Sequence, residues 1–586
     1  MFTYKSCRKD IYRCRKFSSL AMRKKGWMKR KILFVITCLY SGILFGQSNY
    51  LPLNSNYYHT VERYEILNGK LADQFFTTIK PYTRKAVADF VDTLSADSLS
   101  LKRFSRVDRF NLMYLANDNW EWSKSAENDS KRTLMKVFYK KKSDFFHVNT
   151  KDFDLHINPV IYAQGGYEKD YGPVTLNTRG VELRGMIDKK VGFYTFFTDN
   201  QGLMPSYVND FRTRYGVVPG EGYNKNFKTN GVDFISARGY INFNATKHIA
   251  VQFGHDKNFI GNGYRSLILS DNSSSYTFLK LNTKIWKLNY TNVFTEMTAY
   301  PRSFDTLFAK KYVNYHHLSI NLFKNFNIGV FEAIALRGRT KDSTKHGQFD
   351  IAYLNPIIFY RSIEQHLGSF DNAMMGLDFK WNFLRHFSLY GQLVLDEFVL
   401  KEIRSGSGWW ANKQALQGGL KYVDAFGVKN LDMQGEINYV RPYTYSHYNN
   451  FTNFTNYSQA LTHPLGANFT EWIGIVRYQP IPRVAITGKV FYVKLGADTT
   501  GVNWGSDILK NYGTFEQEYG NKTGQGIATK LINASLNVSY MPFHNVFVDG
   551  FVTLRRYDSE IDALDRNTLM GGVALRWYIP QRLHEF

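Results

Sequence analysis

From about Phe153 onward the chain repeats one hydropathy pattern: runs of about 10–13 residues in which apolar and polar side chains alternate with a period of two. In residues 432–441, Met433, Gly435, Ile437 and Tyr439 interleave with Asp432, Gln434, Glu436 and Asn438. Between 373 and 382, Ala373, Met375, Leu377, Phe379 and Trp381 alternate with Gly376, Asp378, Lys380 and Asn382. Phe387, Leu389, Gly391, Leu393 and Leu395 oppose Ser388, Tyr390, Gln392 and Asp396. Successive strand side chains point to opposite faces, so each run presents one apolar and one wet face. The run length suits a tilted strand crossing a bilayer.

The connections alternate in length. Short turns fall near 188–190, 244–247, 282–285, 323–325, 383–385, 426–427, 479–483 and 541–545. Long, polar, aromatic-bearing loops span roughly 200–232, 257–274, 298–312, 338–371, 398–412, 442–468, 496–526 and 557–566. Eight turns define sixteen strands, and one more at each end (about 153–164 and 567–579) makes eighteen. Short turns at one end and long loops at the other are the outer-membrane pattern, with turns in the periplasm and loops outside. The sheet must close, because an open edge in lipid leaves backbone groups unpaired. Residues 571–578, alternating and aromatic-ended, are expected to seal it. The expected fold is therefore a transmembrane β-barrel of about 18 antiparallel strands over residues 145–586. A soluble propeller would need a blade repeat of about 40–50 residues, and no blade motif recurs.

Composition agrees. Of 586 residues, 96 are aromatic (46 Phe, 40 Tyr, 10 Trp), yet 21% are charged and mean hydropathy is −0.36. That mixture excludes disorder and a disulfide scaffold. Met28-Lys29-Arg30-Lys31 followed by an apolar stretch over 32–45 reads as a secretory signal peptide, residues 28–47. Residues 1–27 read as an over-extended gene start. Cys7, Cys14 and Cys38 all precede the expected cleavage point, so the mature chain carries no thiol chemistry. The first 47 residues also hold 12 of the 74 Lys+Arg and one of the 50 acidic groups, leaving 62 against 49. This excess is spread out apart from a cluster at Lys136 and Lys140-Lys141-Lys142, so no nucleic-acid partner is expected. A basic lumen or rim facing acidic glycan or lipopolysaccharide suits it better.

Residues 48–144 read differently. Val87, Phe90, Val91 and Leu94 fall on one helix face, with Pro81 marking the entry; Val107, Phe110, Met113 and Tyr114 keep similar spacing. These short amphipathic helices are expected to form a small domain at the periplasmic mouth of the barrel.

One motif points to a family. Gly254-His255-Asp256-Lys257-Asn258-Phe259-Ile260-Gly261-Asn262-Gly263-Tyr264-Arg265-Ser266-Leu267-Ile268-Leu269-Ser270-Asp271-Asn272 resembles the pattern of the capsule-assembly Wzi-like outer-membrane proteins. Tyr353-Leu354-Asn355-Pro356 and His463-Pro464-Leu465-Gly466-Ala467-Asn468-Phe469 are similar to that group too, in particular to its RemB-like gliding-motility members. The resemblance covers roughly residues 60–586. It implies an eighteen-stranded barrel with a small periplasmic helical bundle, acting as a surface lectin that helps retain capsular polysaccharide. It carries over no individual binding residue.

A glycan offers CH faces and hydroxyls, so a site for it wants exposed rings beside hydrogen-bonding side chains. Tyr443, Tyr445, His447, Tyr448 and Tyr457 in the 442–468 loop, with Trp409 and Trp410 in the 398–412 loop, are the candidates. The same rings could instead pack loops together or belong to an interfacial aromatic girdle. Gly261-Asn262-Gly263 lacks a third glycine and is flanked by strands, so it reads as a tight turn and not a phosphate loop. His316 and His317 face opposite sides of a strand, and Asp396 and Glu397 do too, which argues against a metal site and a glycosidase pair. No enzyme, cofactor or metal is expected. The expected function is non-catalytic binding or anchoring of surface polysaccharide or lipopolysaccharide in capsule assembly. The barrel would sit among outer-membrane lipids, inserted by the barrel-assembly machinery. The alternative is a structural component of a gliding-motility or adhesion apparatus with motility proteins as partners. A diffusion porin is a third possibility. A TonB-type transporter of about 22 strands with a plug does not fit the mature length.

Overall fold

The computed structural model describes residues 48–586 apart from 229–230, 300–307, 338–348, 358, 361, 363–370, 450 and 583. The expected gene start, signal peptide and cysteines lie outside the described residues. Eighteen antiparallel strands form a closed barrel. They are β1 (Phe153–Glu168), β2 (Gly172–Ile187), β3 (Val191–Leu203), β4 (Gly231–Asn244), β5 (Ile249–Asp256) and β6 (Tyr276–Ile285), then β7 (Leu288–Thr298), β8 (Lys310–Phe323), β9 (Phe326–Leu336), β10 (Asn372–Phe383), β11 (Phe387–Glu397) and β12 (Lys413–Tyr422). The circuit ends with β13 (Leu431–Val440), β14 (Phe469–Ile481), β15 (Val484–Ala497), β16 (Ile527–Phe543), β17 (Val546–Ser559) and β18 (Arg566–Trp577). β18 pairs with β1 from Met570↔Glu168 to Trp577↔Ile161, which closes the ring. Residues 571–578 therefore seal the barrel as expected. The first connection differs from the alternation: only residues 169–171 join β1 to β2 at the long-loop end.

The alternation sets the faces. On β13, Asp432, Gln434, Glu436 and Asn438 are buried in the lumen, while Ile437 is exposed outside. Farther along the outer face, on β16–β18, Leu536, Val538, Val552, Leu554, Val573 and Leu575 form an exposed apolar belt. At the short-turn rim Trp381, Phe383, Phe387 and Tyr422 stack in sequence, with centroids 4.8, 5.4 and 4.4 Å apart. That is the aromatic girdle of a barrel in lipid. The protein is an outer-membrane β-barrel.

Residues 48–144 cap the short-turn end with four helices: α1 (Tyr57–Asn68), α2 (Arg84–Ala96), α3 (Ser98–Arg103) and α4 (Arg106–Asp118). Thr83 caps α2 by accepting from the Ala86 amide, and Val87, Phe90, Val91 and Leu94 bury the face that their spacing predicts. A reciprocal capping box between Ser105 and Asp108 starts α4. Its buried face runs through Val107, Leu112, Leu115 and Ala116, whereas Phe110, Met113 and Tyr114 are only half-buried. Tyr114 turns to the barrel instead, where its hydroxyl bonds Asn545 in the β16–β17 turn.

α1 carries little sequence signal because the barrel mouth surrounds it. Glu62, Arg63 and Glu65 are buried, and each meets a charge on the wall. Arg63 pairs with Asp108 (3.0 Å), Asp424 (2.5 Å) and Asp432, Glu62 with Lys80 (3.0 Å) and Lys421, and Glu65 with Lys380. Such buried pairs add less stability than their attraction alone suggests, since desolvation offsets much of it.

Candidate functional site

The lumen wall is polar, yet much of it contacts protein. The 257–274 connection descends from the long-loop end through the lumen and meets the cap: Phe259–Ile260 pairs with Ile79–Lys80, and the Gly261 amide donates to the Thr78 carbonyl at 2.8 Å. Wall side chains bind this descending backbone. Glu436 accepts from the Tyr264 (2.6 Å) and Arg265 (3.0 Å) amides, and Gln392 accepts from the Leu267 amide (2.8 Å). The descending segment also explains Gly263, where a Cβ would lie 2.7 Å from both Gln417 Oε1 and Glu436 Oε2. Leu267, Ile268 and Leu269 form the centre of a buried core inside the barrel.

The 442–468 connection folds onto that core. Tyr443 and Tyr445 are buried, not displayed: their hydroxyls donate to the carbonyls of Asn503 (2.8 Å) and Leu267 (2.9 Å). Both adopt left-handed backbone, φ 65° and 70°, which a tight infolded turn requires. His447 is buried against Thr452 at 2.6 Å, and burial together with the nearby Lys413 ammonium pushes its pKa down to about 3. Tyr457 is half-buried against Tyr223. His316 and His317 do face opposite sides. His317 meets Asp378 in the lumen at 2.5 Å, and His316 lies outside under Tyr360. Asp396 and Glu397 both reach Lys413, at 3.5 and 3.2 Å. Among the described residues no cluster of His, Cys, Asp and Glu could hold a metal ion.

The segment after β18, which the sequence pattern does not place, turns back into the lumen. Glu585 pairs with Arg265 (2.9 Å) and Lys489 (3.0 Å), and Arg582 pairs with Glu221 (3.0 Å). A cavity of about 590 Å³ remains along the β14–β18 side, between the cap and the infolded loops. Arg477, Thr487, Lys489, Ser535 and Asn537 are among its lining residues.

At the long-loop end three connections build one surface. Trp410 stacks on Phe515 at 4.5 Å and 15°, lies 5.1 Å from Tyr512 and meets the edge of Tyr443 at 6.0 Å. Trp409 and Tyr448 flank this cluster, 6.3 Å from Trp410 and 4.7 Å from His447 respectively. Trp409, Trp410, Tyr448, Tyr512 and Phe515 all keep part of their area exposed. Backbone bonds from Trp410 to Glu518 (2.9 Å) and from Asn521 to Gly408 (2.8 Å) fix the 398–412 loop to the 496–526 loop. Beside the junction lies a hollow of about 550 Å³ lined by Trp504, Gln517, Lys522, Gln525 and Glu560. Gln525 donates to the Trp504 carbonyl at 3.1 Å, and Lys522 is exposed. An indole beside the Gln517 amide, a cation and a carboxylate suits a hydroxyl-rich ligand. Sequence reasoning missed Trp504. Nothing local distinguishes it from the packing tryptophans until the loops assemble.

No protein-family model and no curated protein matches the sequence. Among solved structures, the chain is similar to Wzi of Escherichia coli, described as an outer-membrane protein involved in group 1 capsule assembly and a carbohydrate-binding β-barrel. The likeness has a TM-score of 0.54 at 13% identity, over 91% of this chain and 100% of that one. OprD of Pseudomonas aeruginosa (TM-score 0.40, 11% identity, 72% of this chain, 94% of that one) and OccAB2 of Acinetobacter baumannii (0.39, 7%, 72%, 97%) are more distant barrels. By its eighteen-strand closure over a capped short-turn end, the chain has the fold of the Wzi capsule-assembly barrel.

Proposed function

We propose that this barrel binds surface polysaccharide at its long-loop end as a non-catalytic anchor in capsule assembly, with the helical cap in the periplasm. The observation that carries the reading is the loop-end surface, where the Trp409–Trp410 cluster adjoins the Trp504 hollow with its amide, lysine and glutamate lining. Two further observations support it: an infolded plug where a porin would have a pore, and the carbohydrate binding stated for Wzi. Export through residues 28–47 and insertion by the barrel-assembly machinery belong to the same reading. Of the expected site residues, Trp409, Trp410, Tyr448 and Tyr457 offer exposed ring area, while Tyr443, Tyr445 and His447 organise the loops beneath.

The test is retention of purified acidic capsular polysaccharide by the folded barrel. Retention should fall about tenfold in Trp504→Ala and in Trp409→Ala, with heat-modifiable mobility unchanged; tenfold corresponds to ~1.4 kcal/mol. A wild-type barrel that retains no polysaccharide would sink the reading.

A further inference from the structure

Residues 128–142 form a hairpin that neither the barrel nor the glycan reading uses. It is zipped by the Ser130 amide on the Lys140 carbonyl (3.0 Å), the Lys142 amide on the Asn128 carbonyl (2.8 Å), and Leu134 and Phe138 exchanging both backbone bonds at 2.9 Å. Its tip is apolar and uncovered: Leu134, Met135 and Val137 are 51, 78 and 46% exposed. Met135 and Lys136 both sit in the left-handed region, φ 51° and 62°, where a turn chosen for its backbone alone would carry Asn or Gly.

Basic groups surround the tip. Lys131, Arg132, Lys136 and Lys140 are exposed with no carboxylate within 4.0 Å among the described residues, and Lys142 bonds only the Glu127 carbonyl, at 2.7 Å. Lys141 alone is neutralised, by Asp129 at 2.5 Å.

The location selects the partner. Residues Phe146–Asn149 pair with the start of β1, Phe146 opposite Ile157 and Val148 opposite Leu155, and so fill the rim position beyond the end of β18. Phe138 stacks on Phe145 at 4.5 Å and lies 6.2 Å from Phe146. The hairpin therefore springs from the short-turn rim of the lipid-facing wall at the β18–β1 seam, next to the strands that carry the apolar belt. Apolar side chains at a bilayer edge with unpaired cations around them match the interface of an anionic leaflet, where the tip enters the acyl boundary and the cations reach the headgroups.

We propose that this hairpin is a lipid-docking finger that inserts Leu134, Met135 and Val137 into the leaflet at the short-turn end and binds anionic phospholipid through Lys131, Arg132, Lys136, Lys140 and Lys142. The inference is independent of glycan binding. To test it, Met135→Cys is made in the full chain with Cys7, Cys14 and Cys38 replaced by Ser, spin-labelled, and reconstituted in phosphatidylethanolamine/phosphatidylglycerol vesicles. The label should collide with oxygen more than with a water-soluble nickel chelate, whereas a control label at Glu516, on an exposed loop, shows the reverse. A companion variant with the five cations changed to Gln should lose at least about fivefold in phosphatidylglycerol enrichment over phosphatidylethanolamine around the barrel. A tip label as open to nickel as the control would overturn the proposal, as would one shielded from both agents by protein. So would unchanged lipid enrichment in the five-Gln variant.

Discussion

The Gly261 amide and the Thr78 carbonyl meet at 2.8 Å in the middle of the molecule. One residue belongs to a connection that starts at the long-loop end, the other to the cap on the short-turn end. Their bond, with Asn262 donating to the Thr78 hydroxyl at 3.0 Å, joins the two ends through the lumen. Gly263 lies next to this junction with no room for a side chain, so Gly263→Val should destabilise the plug by ~1–3 kcal/mol. Protease accessibility of residues 257–274 in the folded barrel measures it.

Arg63 holds three carboxylates, Asp108, Asp424 and Asp432, all buried. Arg63→Met leaves Lys429, at 2.9 Å from Asp424, as the one cation beside them and strips the arginine from buried Asp108 and Asp432, which costs ~3–5 kcal/mol. The cap should then become protease-sensitive while the barrel keeps its heat-modifiable mobility.

The pH response of the segment after β18 follows from His584 and Glu585. Burial and the adjacent Arg582 push His584 down to about 4 from an ordinary 6.5, so the docked segment favours the neutral ring. A depressed histidine contributes stability that is whole above pH 6.5 and lost as pH falls toward 4. Glu585 resists burial's upward push because Lys489 and Arg265 hold it near 2, so its ion pairs persist through that window and fail only below it. Amide exchange in residues 580–586 should accelerate between pH 6.5 and 4, and His584→Asn should flatten that dependence.

Buried and displayed rings should separate by phenotype. Tyr445→Phe removes one buried hydroxyl bond and should weaken the loop core by ~1 kcal/mol with polysaccharide retention changed less than about threefold. Trp504→Ala should do the opposite, reducing retention and leaving loop protection intact. Parallel hydrogen exchange and retention measurements distinguish the two.

The strands were legible because one physical rule, apolar side chains toward lipid and polar side chains toward the lumen, writes itself into every second residue. α2 was legible for the same reason, with Val87 to Leu94 on one face. α1 was not: its Glu62, Arg63 and Glu65 look like a solvated helix until Lys380, Lys421, Asp424 and Asp432 surround them. The lumen misled for a related reason. Gln392 and Glu436 read as wet wall residues, and their partners are loop amides instead of water. The aromatic loop does lie at the long-loop end, but period and composition do not say which rings turn inward. Tyr443 and Tyr445 do so, and Trp409 and Tyr448 do not.

Single-barrel conductance in a planar bilayer bears most directly on the account, which rests on a lumen occupied by its own loops. The intact chain should show no steady porin-like current, and deletion of residues 259–272 should produce stepwise openings. A steady open-pore current from the intact chain would contradict a barrel that works at its outer surface.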